Sequence, residues 1–268
     1  MRHLVNRRLF SQLYHLYRAF FILFAFILVV PLAIDWAPHQ NLPSAPVGYQ
    51  VHGGYYHMAN AENKIALTFD DGPHPYYTPQ ILAILEKYKV KATFFIVGEN
   101  AEFYPEVLQQ IQKSGHEIGN HTFTHCNIKT KTPKEIVQEI EKCRKAIFQI
   151  CGENTVLFRP PGGLMTEVVA SDAEILDNYN LIFWNIDTKD WTHRKADEIA
   201  EYVLNETKSG DIILMHDYIS KKSSTPEALE IILPALLEKG FNFVTVSELI
   251  FDGENKETNK QKSITGTL

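Results

Sequence analysis

At 268 residues, with 45% hydrophobic and 12% aromatic content, the chain suits one large domain, such as a barrel, plus appendages. Its 26 Lys and Arg against 32 Asp and Glu give a formal charge of −6 and a pI near 6.0, which argues against nucleic acid as a partner. Three cysteines, Cys126, Cys143 and Cys151, are an odd number and exclude a full disulfide framework, so buried free thiols are expected.

The N-terminus differs in character from the rest. Arg2, Arg7, Arg8 and Arg18 precede Ala19 to Ile34, a run without charge, and no clear cleavage site follows. Residues 1–34 therefore read as an uncleaved signal-anchor helix rather than a cleaved signal. The basic flank keeps to the cytoplasmic side, which puts the remainder outside the cell membrane. Residues 35–62 carry scattered Pro and Gly without sustained period and read as a linker.

From Lys64 strand-like runs alternate with helical ones. The strands are expected at KIALTFD, KATFFIVG, HEIGNH, VLFRPP, LIFWNID, DIILMHD and FNFVTVS. The clearest helix runs from Pro133 to Gly152, with Ile136, Ile140, Ile147 and Ile150 largely on one face. Seven strands interleaved with helices predict a mostly parallel sheet. A closed or nearly closed barrel is favoured over an open doubly wound sheet, because no G-x-G-x-x-G follows a strand. The domain is expected over 63–251. The polar stretch 252–268 is expected to be disordered.

Asp70 and Asp71, His121, Arg159, Asp187 and Asp190, and His216 fall at or just past the C-terminal ends of five predicted strands. In a barrel that end carries the chemistry. His121 and His125, four apart, form with one aspartate from another strand a catalytic zinc-type ligand set with open positions. The second aspartate is then available as a base beside the metal. An amide also needs its leaving nitrogen protonated, and His216 is the candidate acid, oriented by Asp190. Arg159 pairs with the base carboxylate or bridges two loops. Gly162 and Gly163 suit either an oxyanion hole or a tight turn.

TFDDG, HTFTH, RPPGG, DTKDW and LMH, in that order, resemble the five motifs of the NodB-homology polysaccharide deacetylases, carbohydrate esterase family 4. The resemblance covers about residues 64–250. It implies a distorted (β/α)7 TIM-like barrel that removes acetyl groups from an N-acetylated polysaccharide, such as peptidoglycan or a chitooligosaccharide, with a divalent metal and water. The metal implied is zinc, with cobalt or manganese as alternatives. By motif match Asp70 is the base, Asp71, His121 and His125 are the metal ligands, and Arg159 holds Asp70. Asp190 tunes the acid His216, while Trp191 and Leu214 wall the acetyl pocket. Gly162 stands where family members often carry Tyr, so the backbone donor is kept and a side-chain wall is lost. Two other classes compete. A TIM-like glycoside hydrolase could use Asp70 with Asp190 but leaves the His pair unexplained, and a non-catalytic wall-binding module would not need every catalytic position filled.

Overall fold

The computed structural model describes residues 54–59, 61–164, 175, 178–192, 194–220 and 222–265. The expected anchor over 1–34 lies outside them, as does most of a helix expected over 167–179. Among the described residues no helix is long and apolar enough to cross a membrane.

Eight strands form one sheet: β1 Lys64–Asp70, β2 Thr93–Ile96, β3 Glu117–Asn120, β4 Leu157–Phe158, β5 Asn180–Leu181, β6 Ile186–Asp187, β7 Ile212–His216 and β8 Asn242–Val244. The order is β5-β4-β3-β2-β1-β7-β6, and every named strand pair is parallel. β7 runs along one edge of β1. The other edge is shared, with β8 pairing Lys64–Ala66 and β2 pairing Thr68–Asp70. Between the strands lie helices α1 Tyr77–Tyr88, α2 Gly98–Phe103, α3 Pro105–Lys113, α4 Pro133–Cys151, α5 Ala196–Glu206 and α6 Thr225–Glu238, with α7 Val246–Thr265 last.

β1 shows how alternation builds the domain. Ile65, Leu67 and Phe69 pack toward the helices with Leu85, Ile213 and Leu229, while Ala66 belongs to an inner cluster with Phe95, Ile182 and Ile212. Successive side chains on a strand alternate faces, so Thr68 and Asp70 share the inner face with Ala66. Asp70 thus ends the strand pointing into the curl of the sheet. α4 is set by local signals. Thr132 and Glu135 form a capping box, Pro133 opens the helix, and Gly152 closes it at φ +71°.

Four expectations are corrected. LIFWNID is two strands rather than one. β5 pairs β4, β6 pairs β7, and residues 182–185 between them pass from one end of the sheet to the other. The curl is therefore open between β5 and β6, where a closed or nearly closed barrel was expected. The described end of the expected linker is packed: Tyr55 bridges Ile182, its ring is buried, and Met58 and Ala61 are buried with it. The polar C-terminal stretch, expected to be disordered, is helical to Thr265 as the end of α7. It is rich in the helix formers Glu, Lys and Gln, and it grows from a turn anchored by buried Leu249 and Ile250. Asp252 accepts from Lys64, and Glu254 Oε1 accepts from the Tyr55 hydroxyl at 3.2 Å. All three cysteines are free, Cys126 and Cys143 buried and Cys151 half-buried.

Candidate active site

Two neighbours on a strand cannot normally serve one site. Asp70 keeps the inward direction of β1, but Asp71 adopts φ +77°, a left-handed conformation that swings its side chain round after the strand ends. Asp70 is buried, and its Oδ1 accepts from Arg159 Nη1 at 2.7 Å. The same nitrogen reaches Thr68 Oγ1 at 2.8 Å, and Arg159 Nε and Nη2 donate to the carbonyls of Ile182 and Phe183. The guanidinium is fully buried, with its carbon 4.0 Å from the Phe95 ring centroid. Its planar fork matches acceptors in three directions, which a Lys could not do.

The segment HTFTH is neither helix nor strand. Thr122 and His125 sit at φ +68° and +51°, so the chain folds back and the two rings approach with centroids 5.1 Å apart. His121 is buried, and its Nδ1 pairs with the Arg159 carbonyl at 2.7 Å. An N–H at that position donates, leaving Nε2 with a lone pair facing the aspartates. His121 Nε2 and His125 Nε2 lie 3.4 Å and 3.2 Å from Asp71 Oδ1. One potential ligand atom from each of the three residues falls within 4.8 Å of the others. Asp71 Oδ1 is buried with no hydrogen-bond partner among the described residues, although buried carboxylate oxygens are ordinarily bonded. Burial pushes the Asp71 carboxyl up, but the contact and charge of His121 and the charges of His216 and His125 outweigh it and hold the group below its usual value. Two imidazole nitrogens and one ionised carboxylate on a single point are the donor set of a divalent metal with open positions, so these residues fit such an ion.

Across the cleft His216 ends β7. Its Nδ1 pairs with Asp190 Oδ1 at 2.7 Å, and its backbone N–H donates to Asp190 Oδ2 at 2.8 Å. Asp190 is buried in a 3-10 turn and also accepts from Thr225 Oγ1 at 2.7 Å and Trp191 N at 3.0 Å. Burial pushes the imidazolium down, yet the hydrogen bond and charge of Asp190, with the charges of Asp70 and Asp71, raise His216 to about 9.

The remaining predicted residues fall around this centre. Leu214 is buried in β7, and Trp191 is 52% exposed on the β6–α5 connection. Gly162 and Gly163 both have positive φ in a 3-10 turn after β4. The Gly163 amide donates to the Pro160 carbonyl at 2.9 Å, which at this residue favours the tight turn of the two alternatives. Asp187 Oδ1 accepts from the Lys189 amide at 3.0 Å.

Sequence reasoning missed the supporting residues. Thr68, Thr225 and Asp217 are buried polar groups, each bonded to the machinery or its loops. Asp217 Oδ2, just past β7, accepts from Thr78 Oγ1 in the first turn of α1 at 2.5 Å. Burial lifts its carboxyl to about 7 against that hydrogen bond, and the charges of Asp71 and Asp70 push the same way. The available signal was polarity inside apolar strand ends, as in LTFD and LMHD, which does not say what the group will meet.

Residues 57–180 match the family model described as polysaccharide deacetylase. Over 206 residues the chain is 39% identical to a peptidoglycan-N-acetylglucosamine deacetylase of Bacillus cereus, covering 76% of this chain and 94% of that protein. The crystal structure of the Bc1960 peptidoglycan N-acetylglucosamine deacetylase superposes with a TM-score of 0.69 at 34% identity, covering 73% of this chain and 91% of the other. A family 4 acetyl xylan esterase from Clostridium thermocellum, solved with a cobalt ion, gives a TM-score of 0.64 at 35% identity, over 69% and 89% of the two chains. Likeness of that depth, spanning both ends of the curled sheet, means that the chain belongs to the polysaccharide deacetylases of carbohydrate esterase family 4.

Proposed function

We propose that this deacetylase removes the acetyl group from N-acetylglucosamine-type residues of a cell-wall glycan with a divalent metal, zinc first among candidates, held by Asp71, His121 and His125. The observation that carries the reading is the division of labour in one cleft. A ligand set stands beside a carboxylate already fixed by Arg159, and a histidine already fixed by Asp190 stands opposite. When bound, the cation supplies Lewis acidity to the amide carbonyl and to water. Asp70, with Oδ1 held by Arg159, takes the proton of the attacking water on its other oxygen. His216, with Nδ1 tied to Asp190, delivers a proton from Nε2 to the leaving nitrogen. Trp191 and Leu214 bound the space for the acetyl methyl. The N-acetylglucosamine deacetylase named above, which the chain matches along nearly its whole length, supports the sugar. The run Ala19–Ile34 anchors the chain in the cell membrane with the catalytic domain outside.

Acetate release from peptidoglycan and from a chitooligosaccharide, measured with and without chelator, tests the reading. Release should stop with chelator and return with zinc, without new reducing ends. Reducing ends in place of acetate would make the protein a glycosidase, and release indifferent to chelator would remove the metal.

A further inference from the structure

The turn that carries both histidines has almost no hydrogen bonds of its own. Buried backbone amides need partners, so where those of residues 122–124 go is an accounting question. Thr122 N–H donates to the side-chain oxygen of Asn120 at 2.9 Å. Phe123 N–H and Thr124 N–H both donate to Oε2 of Glu139, at 3.1 Å and 2.8 Å, and the Thr124 hydroxyl adds a third bond to the same oxygen at 3.0 Å. From the other side the carbonyls of Thr122 and Phe123 accept the amides of Gly98 and Glu99, at the start of α2. The turn is thus clamped between the N-terminus of α2 and one carboxylate projecting from α4.

Left-handed conformations at Thr122 and His125 persist only when their surroundings hold them, and a β-branched residue is especially reluctant there. We infer that Glu139 is a positioning residue for the metal: its carboxylate fixes the backbone between His121 and His125 so that both Nε2 atoms converge on Asp71 Oδ1. α4 is well able to bear the reaction. Its capping box, Thr132 with Glu135, fixes the start of the helix one turn before Glu139, and the residues Ile140 and Cys143 that follow are buried against the sheet. Asn120 Nδ2 reinforces the join by donating to the Ile140 carbonyl at 2.8 Å. The inference rests on the metal reading proposed above and extends it to a residue that touches neither metal nor substrate.

The test is the zinc affinity of the full chain, measured by competition with a chromophoric chelator. Glu139→Ala should weaken zinc binding by about ten- to a hundredfold, the usual cost of removing a group that orients metal ligands. Glu139→Asp keeps the charge but withdraws the oxygen, and it should weaken binding too. Glu139→Gln loses the charge but keeps an acceptor within reach, and it should retain most of the affinity. Glu135→Ala, which removes the cap of the same helix, should leave zinc binding unchanged. If the alanine variant does not fold, the Asp and Gln variants decide between them. Wild-type affinity in Glu139→Asp, or a loss in Glu139→Gln as large as in Glu139→Asp, overturns the inference. A wild-type chain that takes up no zinc overturns the metal reading and the inference together, a result distinct from variants that match a binding wild type.

Discussion

His216 is the candidate residue whose protonation the surrounding charges most directly set. Asp190 offers it two oxygens, and Thr225 and Trp191 hold that carboxylate from behind, so the ion pair is rigid and buried. An opposite charge at hydrogen-bond distance favours the imidazolium, which is why the group stays protonated toward about 9 despite burial. Because the folded-state value lies above the unfolded one, the stability contributed is full below about 6.5 and is lost as the pH rises through about 9. For the acid role, the alkaline limb of the activity profile marks loss of this proton. Asp190→Asn should move that limb to lower pH by about 1–3 units and leave the acid limb in place. A bound cation lowers the limb in both proteins, so the comparison isolates Asp190. A limb unmoved in Asp190→Asn, and unmoved again in His216→Ala, would remove His216 as the acid.

At the scale of elements, what matters is how strands end. β1 delivers Asp70 inward by alternation, and the left-handed residue that follows brings Asp71 to the same cleft with a different outlook. One carboxylate meets an arginine and the other meets two imidazoles. Asp70→Asn should therefore keep metal while turnover falls about 10²–10⁴-fold, the usual cost of losing a general base. Asp71→Asn should lose metal affinity instead, read by metal content after dialysis. Exchanged phenotypes would reverse the two roles. The existence of β1, α4 and β7 was legible in the sequence because period, caps and burial agree there. The gathering of Asp70, Asp71, His121, Arg159, Asp190 and His216 at one end was legible for the same reason. The turn at HTFTH was not, since its shape depends on Glu139, fourteen residues beyond His125, and on amides of α2. Nor was the break in LIFWNID, whose apolar run is the same for one buried strand as for two short ones joined by a buried connection.

For the molecule as a whole, the start of the described chain meets residues 252–254 at the opposite end of β1 from the chemistry. Lys64 opens β1 and Asp70 closes it, about 20 Å away at the usual rise of a strand. Near that opening, Lys64 pairs with Asp252, Tyr55 reaches Glu254, and Gly253 packs on Met58 so closely that a side chain there would collide with it. Neither segment announces this in sequence, because contacts between a linker-like stretch and a polar tail follow from the fold that brings them together. Ending the chain after Phe251 should lower the melting temperature, by about 2–4 °C for each kcal/mol lost, while kcat is unchanged. A truncated chain with full thermal stability would show that the terminal strap contributes nothing.

The open side of the curled sheet has a consequence for what Arg159 must hold. Residues 182–185 cross that gap without strand pairing between β5 and β6, and two carbonyls of the crossing, those of Ile182 and Phe183, are caught by Arg159. The same guanidinium grips Asp70. The crossing segment and the carboxylate proposed as the base therefore share one fastener. Removing the guanidinium would therefore strip a donor from the two crossing carbonyls and from the Asp70 carboxylate at the same time.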